Sequence, residues 1–229
     1  MQRSCALRSA AALQRKSSAL PAESCLCGAR HDEQCALPKA QANAQLPQGR
    51  RRQQRILVLF SGRRRPRDLA ASLRSRGHWV ETFEISDDPK GQDLLRQEVQ
   101  ASVLERVSSG EFDAVFLGTP CSSFCVALEP KLRSARWPLA IPTVQREWGV
   151  YLAKHNSAVD FTAAVCMAAH ASDTTWALEN PASRRGGLAS WPAKADYGSM
   201  WDMPCIRALR QDTGAVMVTF AQCQFASAF

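Results

Sequence analysis

The segment Ile56-Leu57-Val58-Leu59-Phe60 is a continuous apolar run, and Ser61-Gly62 ends it. A β-strand that is buried on both faces has this pattern, because neither face needs polar side chains. Gly62 allows the turn to pass close to a ligand, since glycine has no side chain in the way. The segment therefore predicts a buried strand followed by a turn suited to ligand binding.

Short apolar runs alternate with helical patterns along the rest of the chain. Further strands are predicted at residues 79–83, 113–117, 175–178 and 215–220, and helices at residues 66–77, 93–109 and 158–171. Strands that alternate with helices are typical of an α/β fold, in which helices cover both faces of a mostly parallel sheet. We therefore expect one α/β domain over residues 55–229, preceded by a basic, disordered tail over residues 1–54.

Polar residues follow the carboxyl ends of four predicted strands. They are Ser61-Gly62, Glu84, Thr119-Pro120-Cys121 and Glu179-Asn180-Pro181. In parallel α/β sheets, ligands bind beyond the carboxyl ends of the strands, near the point where the strand order reverses. We therefore expect these four groups to converge on one edge of the sheet.

Three residues at this edge are candidates for chemistry or binding. A cysteine after Pro120, at a strand end that opens into a cleft, is placed as a nucleophile, although a lone cysteine is more often a buried structural thiol. Cys121 and Glu179 together supply the thiol and the carboxyl group needed to attack and protonate a heteroaromatic ring. Glu84 suits the two hydroxyls of a ribose, and its alternative is an ordinary exposed acid.

The order of these motifs resembles the carbon-5 cytosine DNA methyltransferases. The matching segments are Leu59-Phe60-Ser61-Gly62, Glu84, Gly118-Thr119-Pro120-Cys121-Ser122 and Leu178-Glu179-Asn180-Pro181. The similarity is greatest to divergent members in phages and algal mobile-element proteins, which carry a segment similar to Gln222-Cys223-Gln224-Phe225. It spans residues from about 56 to 225. The resemblance implies a Rossmann-like, S-adenosylmethionine-dependent methyltransferase fold.

The resemblance also implies roles for individual residues. S-adenosylmethionine would be held by residues after the first strands, namely Phe60, Ser61, Gly62, Glu84, Ile85, Asp93 and Thr119. The catalytic group would comprise Pro120, Cys121, Glu179 and Asn180. Cys121 would add to carbon 6 of a flipped-out cytosine in DNA while Glu179 binds ring nitrogen 3. Residues 122–148, with Trp137 and Trp148, would form a mobile loop over the base.

Two features depart from the family pattern. Arg63-Arg64-Arg65 follows Gly62 where the family has a second glycine, and solvent exposure is the expected state of at least two of these arginines. One of them would otherwise pair with the cofactor carboxylate or a nucleic-acid phosphate. The chain ends at Phe229, where the family continues into a target-recognition region, so we expect a domain that is incomplete at its C-terminus.

These departures leave an alternative function open. The chain is either a methyltransferase or a protein of the same fold without this activity. The second alternative is a catalytically inactive mobile-element remnant or a nucleic-acid-associated module. An amino-group methyltransferase is disfavoured by Thr119 and Cys121, because those enzymes carry an acid or asparagine before the proline and need no thiol. The sequence leaves the oligomeric state open.

The basic charge of the chain lies in its tail. The net charge is +8, and residues 1–55 contribute ten Lys/Arg and three Asp/Glu, which gives +7 and leaves +1 for the remainder. Bulk charge therefore does not by itself predict a nucleic-acid surface on the domain. No apolar stretch approaches the roughly 18 residues that a membrane helix needs, so no membrane partner is expected.

The cysteines and the start of the chain bear on its location. The nine cysteines have no regular spacing, and no secretory signal is apparent, so a reducing intracellular compartment is expected. The first residues are rich in arginine and serine and poor in acids, which fits either an organelle transit peptide or a disordered leader. Nucleus and organelle both stay open. The cluster of Cys25, Cys27, His31 and Cys35 is spaced too tightly for a usual zinc site, so no metal is expected.

Overall fold

A computed structural model describes residues 52–183 and 196–219 of the chain. The chain divides into two units, Met1–Gly49 and Arg50–Phe229, and all described residues belong to the second. The expectations for the tail, including its Cys/His cluster, and for Gln222 to Phe225 lie outside the described residues. No helix in the described part is long and apolar enough to cross a bilayer.

In the described residues, four parallel strands form the sheet, in the order β2-β1-β3-β4. They are β1 (Arg55–Leu59), β2 (Trp79–Phe83), β3 (Ala114–Gly118) and β4 (Thr175–Glu179). The prediction of a parallel α/β sheet is confirmed, and each strand lies within one residue of its predicted bounds. The chain runs outward from β1 to β2 and then returns past β1 to β3. The strand order therefore reverses between β1 and β3.

Within residues 52–183 and 196–219, four α-helices connect or follow these strands. They are α1 (Leu69–Ser75), α2 (Gln97–Ser108), α3 (Gln145–Ala171) and α4 (Pro204–Thr213), with short 3₁₀ helices at Ser122–Phe124, Pro142–Val144 and Met200–Asp202. The helix α1 begins later than predicted because Asp68 caps it, accepting a hydrogen bond from the Ala71 amide at 2.7 Å. Two helical segments were not predicted: α4, and the first half of α3.

The two faces of the sheet are covered unequally. On one face, Ile56, Val58, Val80 and Ala114 pack against Ala70 of α1. The opposite face carries the main core, in which buried strand residues pack against α2, α3 and α4; among them are Leu57, Leu59, Val115, Leu117, Val107, Val159 and Ile206. Alternate strand residues point to opposite faces, and helices lie on both, as predicted.

The predicted strand at residues 215–220 is wrong over its described part. Residues 215–219 form no strand, and the side chains of Val216 and Val218 are 87% and 74% exposed. Their apolar composition favours a strand, but a strand also needs a pairing partner. In the described residues, β4 pairs with β3 alone and is an edge of the sheet.

The segment predicted as a mobile loop, residues 122–148, is partly regular and partly buried. Trp148 lies in α3, and Ser123 and Phe124 lie in a buried 3₁₀ turn. At its centre Leu132, Arg133 and Ser134 are only 1%, 2% and 4% exposed. The middle of this segment therefore packs into the domain, while Trp137 remains 43% exposed.

Candidate active site

The turn after β1 and the end of β2 are bonded to each other at the carboxyl edge of the sheet. Glu84 accepts hydrogen bonds from the amides of Gly62 at 2.8 Å and Ser86 at 3.3 Å, one on each carboxylate oxygen. Phe60 and Gly62 have positive φ angles of 55° and 71°. Such a backbone conformation is costly for phenylalanine, and backbone strain of this kind clusters at binding sites. The turn is thus held in a defined shape by Glu84.

Other residues assigned to cofactor binding also surround this turn. Ile85 is 48% exposed, and Asp93 accepts a hydrogen bond from the Leu95 amide at 2.9 Å through one carboxylate oxygen. Arg64 forms an ion pair with Asp87 at 2.7 Å. Its neighbours Arg63 and Arg65 are exposed, as expected for at least two of the three arginines.

Gly118, at the end of β3, belongs to a segment that the sequence singled out, but the sequence did not reveal its steric role. A Cβ atom at this position would lie 3.0 Å from the carbonyl oxygen of Phe60. Only glycine therefore allows the end of β3 to lie this close to the β1 turn. The clash is visible only once the two strands are side by side.

Replacing Gly118 with alanine should destabilise the domain, because the backbone of Phe60 must shift to relieve the contact. We expect a loss of about 1–3 kcal/mol, typical of overpacking. Thermal unfolding would measure it. Gly149→Ala is the matched control: its site in α3 has no atom within 4 Å of the added Cβ, so better helix propensity should leave stability equal or higher. Equal stability of the Gly118 variant and wild type would contradict the close approach.

Thr119 and Asn180 connect the ends of β3 and β4. The Asn180 side chain donates a hydrogen bond to the Thr119 carbonyl oxygen at 2.8 Å. The Thr119 hydroxyl is buried and lies 2.8 Å from the Thr162 hydroxyl of α3. The Thr119 side chain therefore points toward α3 and not toward the turn after β1, where the other residues assigned to cofactor binding lie. Asn180 fixes the strand-end loop, as the resemblance implies.

Cys121 and Glu179 lie at the carboxyl ends of the neighbouring strands β3 and β4. Glu179 pairs in register with Gly118, and Cys121 follows three residues later; both side chains are exposed. Partial burial raises the pKa of the Cys121 thiol, and the charge of Glu179 raises it further. At neutral pH the thiol is therefore mostly protonated.

A layer of polar and aromatic side chains supports the Cys121 turn from beneath. The Ser122 hydroxyl accepts a hydrogen bond from Tyr151 at 3.0 Å and lies 3.4 Å from His155 Nε2. The Ser123 hydroxyl accepts one from Arg133 at 3.1 Å. These three supporting residues were missed, because neither their spacing nor their local sequence connects them with Cys121.

A groove of about 950 Å³ runs along the β4 edge. Phe60, Ser61, Glu179 and Asn180 line it, together with residues of α4 and residues 215–219, whereas Cys121 is not among its lining residues. Glu179 thus lines the groove, whereas Cys121 lies outside it. No group of three or more potential metal ligands occurs in the described residues.

Comparison with known proteins adds no relative. No protein-family model, no curated protein and no solved structure matches this chain.

Proposed function

We propose that this domain is an S-adenosylmethionine-dependent methyltransferase that acts on carbon 5 of cytosine in DNA. One observation carries the proposal: Cys121 and Glu179 lie at the carboxyl ends of two neighbouring paired strands, with Glu179 in register with Gly118, three residues before Cys121. A nucleophile and a carboxyl group that share one space are what addition to a pyrimidine ring requires. The motif order that resembles carbon-5 cytosine methyltransferases selects cytosine among such rings.

The residues around the β1 turn fit the cofactor. Each carboxylate oxygen of Glu84 accepts one backbone hydrogen bond and keeps a further lone pair for a ribose hydroxyl. Ile85 offers exposed apolar surface for an adenine ring, and no atom lies within 4 Å of a Cβ built on Gly62. When bound, S-adenosylmethionine supplies an electrophilic methyl group.

The chain's own residues would perform the addition. The Cys121 thiol would give its proton to the Glu179 carboxylate, and its sulfur would bond to carbon 6 while the electrons of the carbon 5–carbon 6 double bond move into the ring. Glu179 would pass this proton to nitrogen 3 and so neutralise the charge that addition creates. Asn180, bonded to the Thr119 carbonyl, keeps the loop that carries Glu179 beside the β3 end. At the end, the carbon 5 proton would leave to water as the carbon 6–sulfur bond breaks, and the nitrogen 3 proton would return through Glu179 to the Cys121 thiolate.

Methyl transfer is the direct test of the proposal. The full chain is incubated with DNA and S-adenosylmethionine carrying a labelled methyl group, and the nucleosides are separated after digestion. Label in 5-methylcytosine is expected. Label in another nucleoside, or no label together with no heat of S-adenosylmethionine binding at high micromolar concentration, would overturn it and favour the inactive, nucleic-acid-associated alternative.

Replacing Glu84 with glutamine should weaken S-adenosylmethionine binding about tenfold or more. A hydrogen bond to a charged group contributes roughly 1.5–3 kcal/mol, and 1.4 kcal/mol corresponds to a factor of ten. Isothermal titration calorimetry measures the change. Glu98→Gln is the control, because that side chain is 77% exposed on α2. Equal affinities for both variants and wild type would remove Glu84 from the cofactor site.

A further inference from the structure

Three buried side-chain nitrogens in the described residues have no hydrogen-bond partner. They are Nη2 of Arg133, Nε1 of Trp148 and Nδ1 of His155. Buried polar atoms are nearly always paired, since an unpaired one costs about 1–3 kcal/mol. Three such atoms in one part of the domain therefore require an explanation.

Arg133 is a buried cation without a carboxylate partner in the described residues. It is 2% exposed and its guanidinium lies 4.3 Å above the Phe124 ring. Nε donates to Ser123, and Nη1 donates to the carbonyl oxygens of Pro138 and Leu139 and to Asn156, at 2.6–3.1 Å. Burial lowers its pKa to about 10, so it stays charged at neutral pH. The positive charge of Arg133 is therefore stabilised by hydrogen bonds to neutral groups and not by a negatively charged partner.

Trp148 and His155 lie seven residues apart, two helical turns, on one face of α3. Their rings flank Tyr151, with centroid distances of 5.8 Å and 4.4 Å. Asn156, the neighbour of His155, binds the guanidinium directly at 2.8 Å. Burial lowers the pKa of His155, the charge of Arg133 lowers it further, and a hydrogen bond to the Pro120 carbonyl acts in the opposite direction. The side chains that carry the three unpaired nitrogens are thus linked through Tyr151 and Asn156 of α3.

The chemistry of these nitrogens selects an anion. Guanidinium and indole nitrogens are donors only, and an imidazole nitrogen donates in one tautomer and in the protonated ring. A set of donors around a positive charge complements a negatively charged acceptor. A carboxylate usually binds two nitrogens of an arginine, but Nε and Nη1 of Arg133 are already used. The single free nitrogen, with donors on two other side chains, instead suits a tetrahedral oxyanion.

We propose that Arg133, Trp148 and His155 form a phosphate-binding site beneath the Cys121 turn. The phosphate group would belong either to free phosphate or to a nucleic-acid strand. Its access requires the segment around Pro138 and Leu139, which covers Arg133, to move aside. Because Arg133 also holds Ser123, occupation of the site would be transmitted to the turn that carries Cys121. This site goes beyond the proposed function, since it needs neither the methyl donor nor the thiol.

The test measures anion binding by the full chain. Phosphate and sulfate are titrated against chloride at constant ionic strength, and both binding heat and thermal unfolding are followed. Wild type is expected to bind both oxyanions and to unfold at a higher temperature with them. Trp148→Phe, which removes one donor and keeps an aromatic ring, should weaken binding about tenfold. Arg133→Met should abolish binding, and Arg136→Met, on an exposed arginine of the same segment, should not change it.

Two further arms identify the source of the phosphate and separate the hypotheses. A single-stranded oligonucleotide is compared with its methylphosphonate counterpart, which lacks backbone charge. If only the charged oligonucleotide competes with phosphate for the site, the ligand is a nucleic-acid strand. If neither oligonucleotide competes, the ligand is free phosphate. Cys121→Ser should bind phosphate as wild type does, so loss of methyl transfer leaves this result intact. No oxyanion binding by wild type, or equal binding by Trp148→Phe and wild type, would overturn the site.

Discussion

Replacing Cys121 with serine is expected to abolish covalent capture of DNA that contains 5-fluorocytosine. Wild type should form an adduct with this DNA in the presence of S-adenosylmethionine, because fluorine at carbon 5 prevents the final elimination. A neutral hydroxyl is a far weaker nucleophile than a thiolate, and losing a nucleophile costs on the order of a thousandfold or more. A denaturing gel and the mass of the adduct would measure the loss.

Cys125→Ser is the matched control for this experiment. Cys125 is also exposed and lies four residues further along, so a general effect of removing a thiol would appear in both variants. The buried Cys166 is screened from DNA by the core, and burial raises the pKa of its thiol to about 12. If the adduct persists in Cys121→Ser, or is lost only in Cys125→Ser, then Cys121 is not the nucleophile.

The strands were predictable because their signal is local. A short apolar run such as Ile56 to Phe60 indicates a strand buried on both faces, and the polar residues that follow it mark its end. The expectation that Glu84, Cys121 and Glu179 share one edge then follows from parallel pairing alone. Local pattern and topology together thus predict which strand-end residues lie at one edge of the sheet, without any distance information.

The errors have a different origin. Residues 215–219 have the composition of a strand, but a strand forms only where a neighbour supplies hydrogen bonds, and none does so in the described part of the chain. The first half of α3 escaped prediction because Arg146, Glu147, Lys154 and other exposed polar residues interrupt an apolar stripe. Pairing and packing decide such segments, and neither is visible along the chain.

The support beneath Cys121 depends on tertiary structure even more strongly. Arg133 in Leu132-Arg133-Ser134 has the sequence context of a surface loop, yet its guanidinium is buried against Phe124 and bonded to Asn156. Gly118 likewise looks like an ordinary strand end until the Phe60 carbonyl is placed beside it. Such contacts join side chains that are distant in sequence, so the sequence of any one segment does not predict them.

Replacing Glu179 with glutamine should change thiol reactivity and methyl transfer in opposite directions. The Glu179 charge raises the pKa of Cys121, so its removal should lower that pKa and speed alkylation of Cys121 by iodoacetamide at any pH below it. In both proteins alkylation slows as the pH falls, because the thiolate fraction falls. Methyl transfer should drop roughly 100- to 1,000-fold, since the amide cannot give a proton to ring nitrogen 3.

The opposed changes are what distinguish this role from a structural one. Disorder of the β4 end would expose the thiol and also slow methyl transfer, but it would shift the alkylation of Cys125 and the thermal unfolding temperature as well. Peptide mass spectrometry reports both cysteines in the same reaction, and Glu105→Gln, on the exposed side of α2, controls for loss of a surface charge. Unchanged alkylation of Cys121 in Glu179→Gln would mean that the carboxylate does not act on the thiol. The two side chains would then not be placed to act on one ring, and the proposed chemistry would lose its geometric basis.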